Sequence, residues 1–161
     1  MGILYNTLVQ LRRFWEDEFA YHLTTTCRSG FRPFSNPANA EFVVGYLLEA
    51  RRRDDILLLA YCVMPNHMHI CCIPRKSDLT KFMMNLKRNI SFHLKLGPIW
   101  ERRFHDRRIT SLDDLNNTIE YIHGNPVESG MTTEPENYRF SSVNSWETLD
   151  YRLVMEFGPD M

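Results

Sequence analysis

The stretch Ile56–Ile73, ILLLAYCVMPNHMHICCI, decides how this chain folds. Two apolar runs flank Met64-Pro65-Asn66, where proline presets φ for a turn and asparagine tolerates the position after it. The pattern predicts a hairpin, its first strand a continuous apolar run. Side chains alternate across a strand, so His67 and His69 project from one face while Met68 and Ile70 project from the other. The turn sets the imidazole pair at the rim of the sheet, where a ligand can reach it. Such a pair is half of a divalent metal site. It also costs desolvation on an apolar strand unless something binds it. A His-x-His pair alone does not separate a metal site from hydrogen-bonded core histidines.

Working outward, Glu18–Thr26 (EFAYHLTTT) is aromatic and β-branched and reads as a strand, followed by a loop carrying Gly30, Pro33 and Pro37. Asn39–Arg53 places Phe42, Val43, Tyr46, Leu47 and Ala50 at helical spacing. Ser77-Asp78 caps a helix over Leu79–Leu96, stopped by Gly97-Pro98. Ile99–Ile109 reads as a strand with a basic face. Ser111-Leu112-Asp113 opens a helix with Leu115, Ile119 and Ile122 as its core stripe, and Asn125-Pro126 is expected to stop it. Residues 132–150 read as irregular closing structure and the last eleven as a frayed tail. An amphipathic helix is expected within residues 1–18. The order β-α-β-β-α-β-α implies an α+β fold, a ferredoxin-like antiparallel sheet with two helices on one face.

The 161 residues read as one domain over 1–161, with 43% hydrophobic and 24% charged residues. No apolar run approaches the ~18–20 residues that span a bilayer. No membrane association and a cytoplasmic location are expected. Cys27, Cys62, Cys71 and Cys72 show no C-x-x-C spacing and are expected to be free. The net charge of −1 hides a strong asymmetry: residues 75–108 hold ten Lys and Arg against three acids, and residues 109–161 hold two against ten. A basic middle segment before an acidic tail suits a face dedicated to a polyanion, or else a solvated helix face.

A second informative block is Glu120–Gly130, EYIHGNPVESG, in which Tyr121 and Asn125 are four apart near the end of a helix and share a face. Together with Val63–Ile70 (VMPNHMHI), Tyr21-His22-Leu23-Thr24, Leu86-Lys87-Arg88, Ile99–Asp106 (IWERRFHD) and Tyr138–Ser142 (YRFSS), it makes the chain resemble the HUH-type single-tyrosine transposases of bacterial insertion sequences, and among them the REP-associated tyrosine transposases. The resemblance runs over about residues 20 to 146, leaving 1–18 and 151–161 peripheral.

The resemblance implies the HUH endonuclease fold and an enzyme that cleaves and rejoins single-stranded DNA at hairpin-bearing sites through a 5′-phosphotyrosine. It assigns Tyr121 as the nucleophile and His67, His69 and Asn125 as ligands of Mg²⁺ or Mn²⁺. Where the family commonly has a basic residue after Asn-Pro-Val, this chain has Glu128. Contact with DNA is expected from Lys87, Arg88, Arg102, Arg103, Arg107 and Arg108, which can neutralise phosphates or read base edges. His105 and His123 are candidate proton handlers. The partner is single-stranded DNA with hairpin structure, with the protein a monomer or homodimer. Two alternatives differ in class: a domesticated, weakly active or inactive binder of repeat hairpins, and an unrelated metal hydrolase using His67 and His69 with His22 or His105. The second requires a third strong ligand near the pair, and the distance of Tyr121 from the pair separates it from the tyrosine reading.

Overall fold

The computed structural model describes residues 19–157, so the helix expected within 1–18 lies outside the described residues. The expected hairpin forms from β2 (Ile56–Met64) and β3 (His67–Pro74), with Pro65-Asn66 as the turn and Met64 paired to His67. All nine residues of β2 are buried. That requires cover on both faces, and a bulge shapes how the strand meets it: the pairing shifts between Leu58 and Ala60. Leu57, Leu59, Ala60, Cys62 and Met64 join one apolar cluster, while Ile56, Leu58, Tyr61 and Val63 join the other. Leu59 and Ala60, adjacent in sequence, thus face the same side, as an inserted residue dictates.

The sheet is antiparallel throughout, in the order β2-β3-β1-β4, with β1 at Tyr21–Thr26 and β4 at His105–Arg108. This is the ferredoxin-like order. One face is covered by α1 (Pro37–Arg52) and α2 (Leu79–Leu94), whose Ala40, Val43, Leu47, Phe82, Met83, Leu86 and Ile90 meet Leu23, Met68 and Ile70. The Asn36 side chain caps α1 by accepting from the Ala38 N–H, and Asp78 caps α2 by accepting from the Lys81 N–H. The opposite face is covered by α3 (Leu112–Glu128), through Leu115, Ile119 and Ile122 against Leu59, Cys71 and Ile73. The helices therefore lie on both faces of the sheet. All four cysteines are free and buried. Among the described residues, no helix is long and apolar enough to cross a membrane.

Several expectations are corrected. The strand read over Ile99–Ile109 is confined to His105–Arg108, because Ile99 and Trp100 are drawn into the core. There they extend the β1 end through a Cys27–Trp100 bridge, leaving Arg102 and Arg103 exposed between the two pairings. Helix α2 ends at Leu94 because Lys95 turns left-handed, φ 54°, before Gly97 is reached. Helix α3 does not stop at Asn125-Pro126 but continues to Glu128. Proline forfeits an N–H and crowds the carbonyl four residues back. Here it sits only two residues from the helix end and is itself buried, so packing offsets the local cost. As a result Asn125 stays helical, one turn from Tyr121.

The closing segment is more regular than expected. Val63 N–H donates to the Phe140 carbonyl at 2.8 Å and Ser142 N–H to the Tyr61 carbonyl at 3.0 Å, so YRFSS covers the outer edge of β2. Tyr138 Oη donates to the Val63 carbonyl at 2.7 Å. Of the expected frayed tail, Tyr151–Phe157 forms α4, with Val154 buried in the α3-side cluster.

Candidate active site

Strand register builds the site. Thr24 of β1 lies opposite His69 and His22 opposite Cys71, so His22, Thr24, His67 and His69 share the face that α3 covers. Leu23, between His22 and Thr24, points the other way into the α1–α2 core. On α3 the stripe Leu115, Ile119 and Ile122 turns inward. That leaves Tyr121 on the helix flank, 51% exposed, directly over the histidines. Its ring lies 5.7 Å from that of His69 at 87°, and 5.7 Å from that of His22 at 67°. The nucleophile and the histidine pair assigned from sequence are thus brought together within one chain. The hydrolase reading, which needs a third strong ligand beside the pair, finds no group of three His, Cys, Asp or Glu among the described residues, and Tyr121 lies close to the pair.

The two histidines are oriented from behind. His67 Nδ1 lies 2.8 Å from Asn66 Oδ1, which accepts its proton. His69 Nδ1 lies 3.0 Å from His22 Nε2 and 3.1 Å from Thr24 Oγ1. Both Nδ1 atoms are engaged by these neighbours, and the rings stand 5.1 Å apart at 87°. The Asn125 amide acts on both rings as a hydrogen-bond partner. Burial holds His69 down to about 3, with His67 and His22 adding to the effect. Burial also lowers His67, and burial with Arg107 lowers His22. Neutral imidazoles are what a metal ion requires of its ligands.

Among the described residues, no three His, Cys, Asp or Glu side chains are grouped to hold a metal ion. The third donor of a site built on His67 and His69 must therefore be of another kind. Asn125, a hydrogen-bond partner of both rings, carries an amide oxygen that fits that need for an oxygen-preferring divalent ion.

The basic residues divide into those engaged by the fold and those left open. Arg107 donates twice to Asp114, at 2.8 and 3.0 Å, and to Thr118 Oγ1 at 2.7 Å, clasping β4 to the first turns of α3. Burial acts to raise Asp114, but the Thr110 N–H and Arg107 bring it below its ordinary value. Lys87 donates to the Glu101 carbonyl at 2.8 Å and lies 5.9 Å from the Trp100 ring. The Arg108 guanidinium lies 3.5 Å from the centre of the Phe19 ring. Arg102 and Arg103 are exposed. Arg88 bonds Asn85 at 3.1 Å and lines a cleft of about 430 Å³ with Tyr46, Arg53, Lys76 and Lys81, in the α1–α2 layer. His123 is buried against Ser142 Oγ at 2.8 Å, a structural bond, and burial pushes it down to about 4. His105 is exposed on β4.

The family profile described as "Transposase IS200 like" matches residues 16–125, more than half of the sequence. The chain belongs to this family. An Escherichia coli (strain K12) REP-associated tyrosine transposase is 26% identical over 100 residues, 61% of each protein. A relative from Haemophilus influenzae is 28% identical over 103 residues, 53% of this chain and 58% of its own length. The chain thus spans about six-tenths of the length of these relatives. A solved structure of a REP-associated tyrosine transposase bound to a REP hairpin superposes with a TM-score of 0.68 at 21% identity, covering 78% of this chain and 77% of the other. This likeness establishes the shared fold.

Sequence reasoning places His22 and Thr24 in a block shared with the family but gives His22 a role only in the hydrolase alternative and Thr24 none. The available signal was their own i, i+2 alternation, the same pattern that singled out His67 and His69. Placing the two pairs side by side requires the β1–β3 register.

Proposed function

We propose that this protein is a divalent-metal-dependent tyrosine transposase that cleaves and rejoins single-stranded DNA beside hairpins. The observation that carries the reading is the Tyr121 ring set edge-on against His69, with the Asn125 side chain a hydrogen-bond partner of both His67 and His69. A half-exposed phenol beside the buried His69 and the half-buried His67 has no evident structural use, because a helix flank at that depth needs no hydroxyl.

In the proposed reaction Tyr121 Oη attacks the phosphorus of a phosphodiester. The new O–P bond replaces the bond to the 3′-oxygen, which takes a proton and leaves as a free 3′-OH. The phenol proton passes to solvent at the open side of the site. One phosphodiester is exchanged for another ester of similar energy, so a 3′-OH of another strand can reverse the step without ATP. Mg²⁺ or Mn²⁺ held by His67, His69 and Asn125 would counter the charge that develops on the non-bridging oxygens. Three uncharged donors leave that ion fully cationic, which favours a phosphate ligand. Tyr121 lies against histidines of its own chain, so nucleophile and ligands come from one subunit.

For the hairpin, the open cations are the ones to weigh. Exposed Arg102 and Arg103 lie between the two pairings of the 99–108 segment. Arg88 and Lys81 line the cleft in the α1–α2 layer. Lys87 and Arg107, whose donors are engaged within the chain, serve chiefly by fixing the surfaces that carry the others. The test is cleavage of a hairpin oligonucleotide carrying a single-stranded flank, with Mn²⁺, with EDTA, and with His67→Ala. Cleavage confined to the parent protein with metal supports the reading. Full cleavage in EDTA overturns it.

A further inference from the structure

We propose that His22 is a positioning residue of this site: its Nε2 accepts the Nδ1–H of His69, holding His69 in the tautomer that leaves its Nε2 lone pair free for a ligand, while its ring packs edge-on beside that of Tyr121. The metal role of His69 rests on the reading above. The tautomer does not.

A neutral imidazole has one nitrogen that donates and one that accepts. A neutral histidine carries a lone pair on Nε2 only if its Nδ1 carries the proton. For His67 this is settled locally, because the carboxamide oxygen of Asn66, 2.8 Å away, only accepts. His69 has no such partner. Thr24 Oγ1, at 3.1 Å, can donate or accept by rotating its hydroxyl, so it selects neither tautomer. His22 Nε2, at 3.0 Å, is the group that decides. When it accepts, His69 Nε2 is free. Were it to donate, His69 Nε2 would carry a proton and could bind no ion.

The chemistry of the choice is also informative. A ligating histidine usually donates its second N–H to a carboxylate, a carbonyl or water. Here an imidazole takes that place, and the cation Arg107 lies across the strand pair from it. A carboxylate at this position would put negative charge beneath an incoming phosphodiester. A neutral ring acceptor orients His69 without that repulsion. The same ring lies 5.2 Å from His69 and 5.7 Å from Tyr121, so one side chain orients both a ligand and the nucleophile.

The test compares the parent with His22→Phe, His22→Gln and His22→Asn. Phenylalanine keeps the ring, glutamine offers an amide oxygen at longer reach, and asparagine is too short to meet His69. Two readouts are taken: imidazole tautomers from ¹⁵N–¹H correlation spectra of the metal-free protein, and Mn²⁺ affinity from the free-ion electron paramagnetic resonance signal. In the parent, His69 is expected as the Nδ1–H tautomer. His22→Phe and His22→Asn are expected to mix its tautomers, leave His67 unchanged and weaken Mn²⁺ binding about tenfold or more. His22→Gln is expected to recover most of the affinity. The proposal is overturned by an Nε2–H tautomer of His69 in the parent, by an unchanged His69 tautomer in His22→Asn, or by no difference between Gln and Asn. If the parent binds no Mn²⁺, the metal reading fails, and the tautomer spectra still decide the role of His22.

Discussion

At the scale of single residues, the site is a set of polar groups placed where an apolar strand would ordinarily continue. His69 is 5% exposed, yet its Nδ1 lies within hydrogen-bond reach of both His22 Nε2 and Thr24 Oγ1. Replacing His67 or His69 with alanine is expected to abolish metal-dependent cleavage while the circular dichroism spectrum stays that of the parent. Mn²⁺ is expected to support activity at lower concentration than Mg²⁺, since imidazole suits the softer ion. The same burial sets a pH response. His69 and His123 are held down to about 3 and about 4, against an ordinary value of 6.5. Both are neutral in the folded chain at neutral pH, and the unfolded chain takes up their protons first as pH falls. Stability is therefore flat in these groups above pH 6.5 and declines below it, down to about pH 4 for His123 and about pH 3 for His69. The slope is up to ~1.4 kcal/mol per pH unit for each group. Urea unfolding of the metal-free protein at pH 7.5 and pH 5 measures this. Equal midpoints would show that the burial does not control these histidines.

At the scale of elements, what matters is how α3 is held over the sheet. Its apolar stripe sets the distance, and the Arg107 clasp to Asp114 and Thr118 sets its position against β4. Tyr121 lies two turns beyond Asp114, so a small shift at the clasp becomes a displacement of the phenol. Arg107→Ala is expected to lower stability by only about 1 kcal/mol, as suits a half-exposed ion pair. Its effect on cleavage is expected to be larger, because misplacing a reacting group by about 1 Å costs on the order of a hundredfold. Asp114→Asn should reproduce the loss, and the double variant should add little to either. Additive losses in a double-mutant cycle would mean the two residues act separately. This clasp was invisible in the sequence, where Arg107 reads only as one cation in a basic run. Lys87 was opaque for the same reason: its partners, Glu101 and Trp100, are a turn and a loop away. The hairpin, α1, α2 and most of α3 were readable because each rests on periodicity within a short window. The extent of β4 and the passage of α3 through Pro126 were not. Those depend on where the core draws Ile99, Trp100 and Pro126.

At the scale of the whole molecule, the sheet separates two surfaces. The α3 face carries Tyr121 and the histidines. The α1–α2 face carries the cleft lined by Arg53, Lys76, Lys81 and Arg88. The site was half legible in sequence: His67, His69, Tyr121 and Asn125 follow from spacing and family resemblance. His22 waited on the pairing of strands 47 residues apart. Charge reversal at Arg102-Arg103 is expected to weaken hairpin binding and flatten its salt dependence, by a slope of about 0.7 to 0.9 for each phosphate that is no longer neutralised. Filter binding across a salt series reads both quantities. Unchanged affinity and slope would make this pair a solvated surface.

The most direct measurement is the covalent adduct. The parent and Tyr121→Phe are incubated with Mn²⁺ and a hairpin oligonucleotide labelled on its 3′ fragment, then run on a denaturing gel. Tyr121→Phe removes one oxygen from a half-exposed ring, so its stability is expected to stay within about 1 kcal/mol of the parent. The parent should give a band retarded by covalently attached DNA, with the label mapping to the peptide that holds Tyr121, and Tyr121→Phe should give none. A band of equal strength from Tyr121→Phe would show that another residue is the nucleophile.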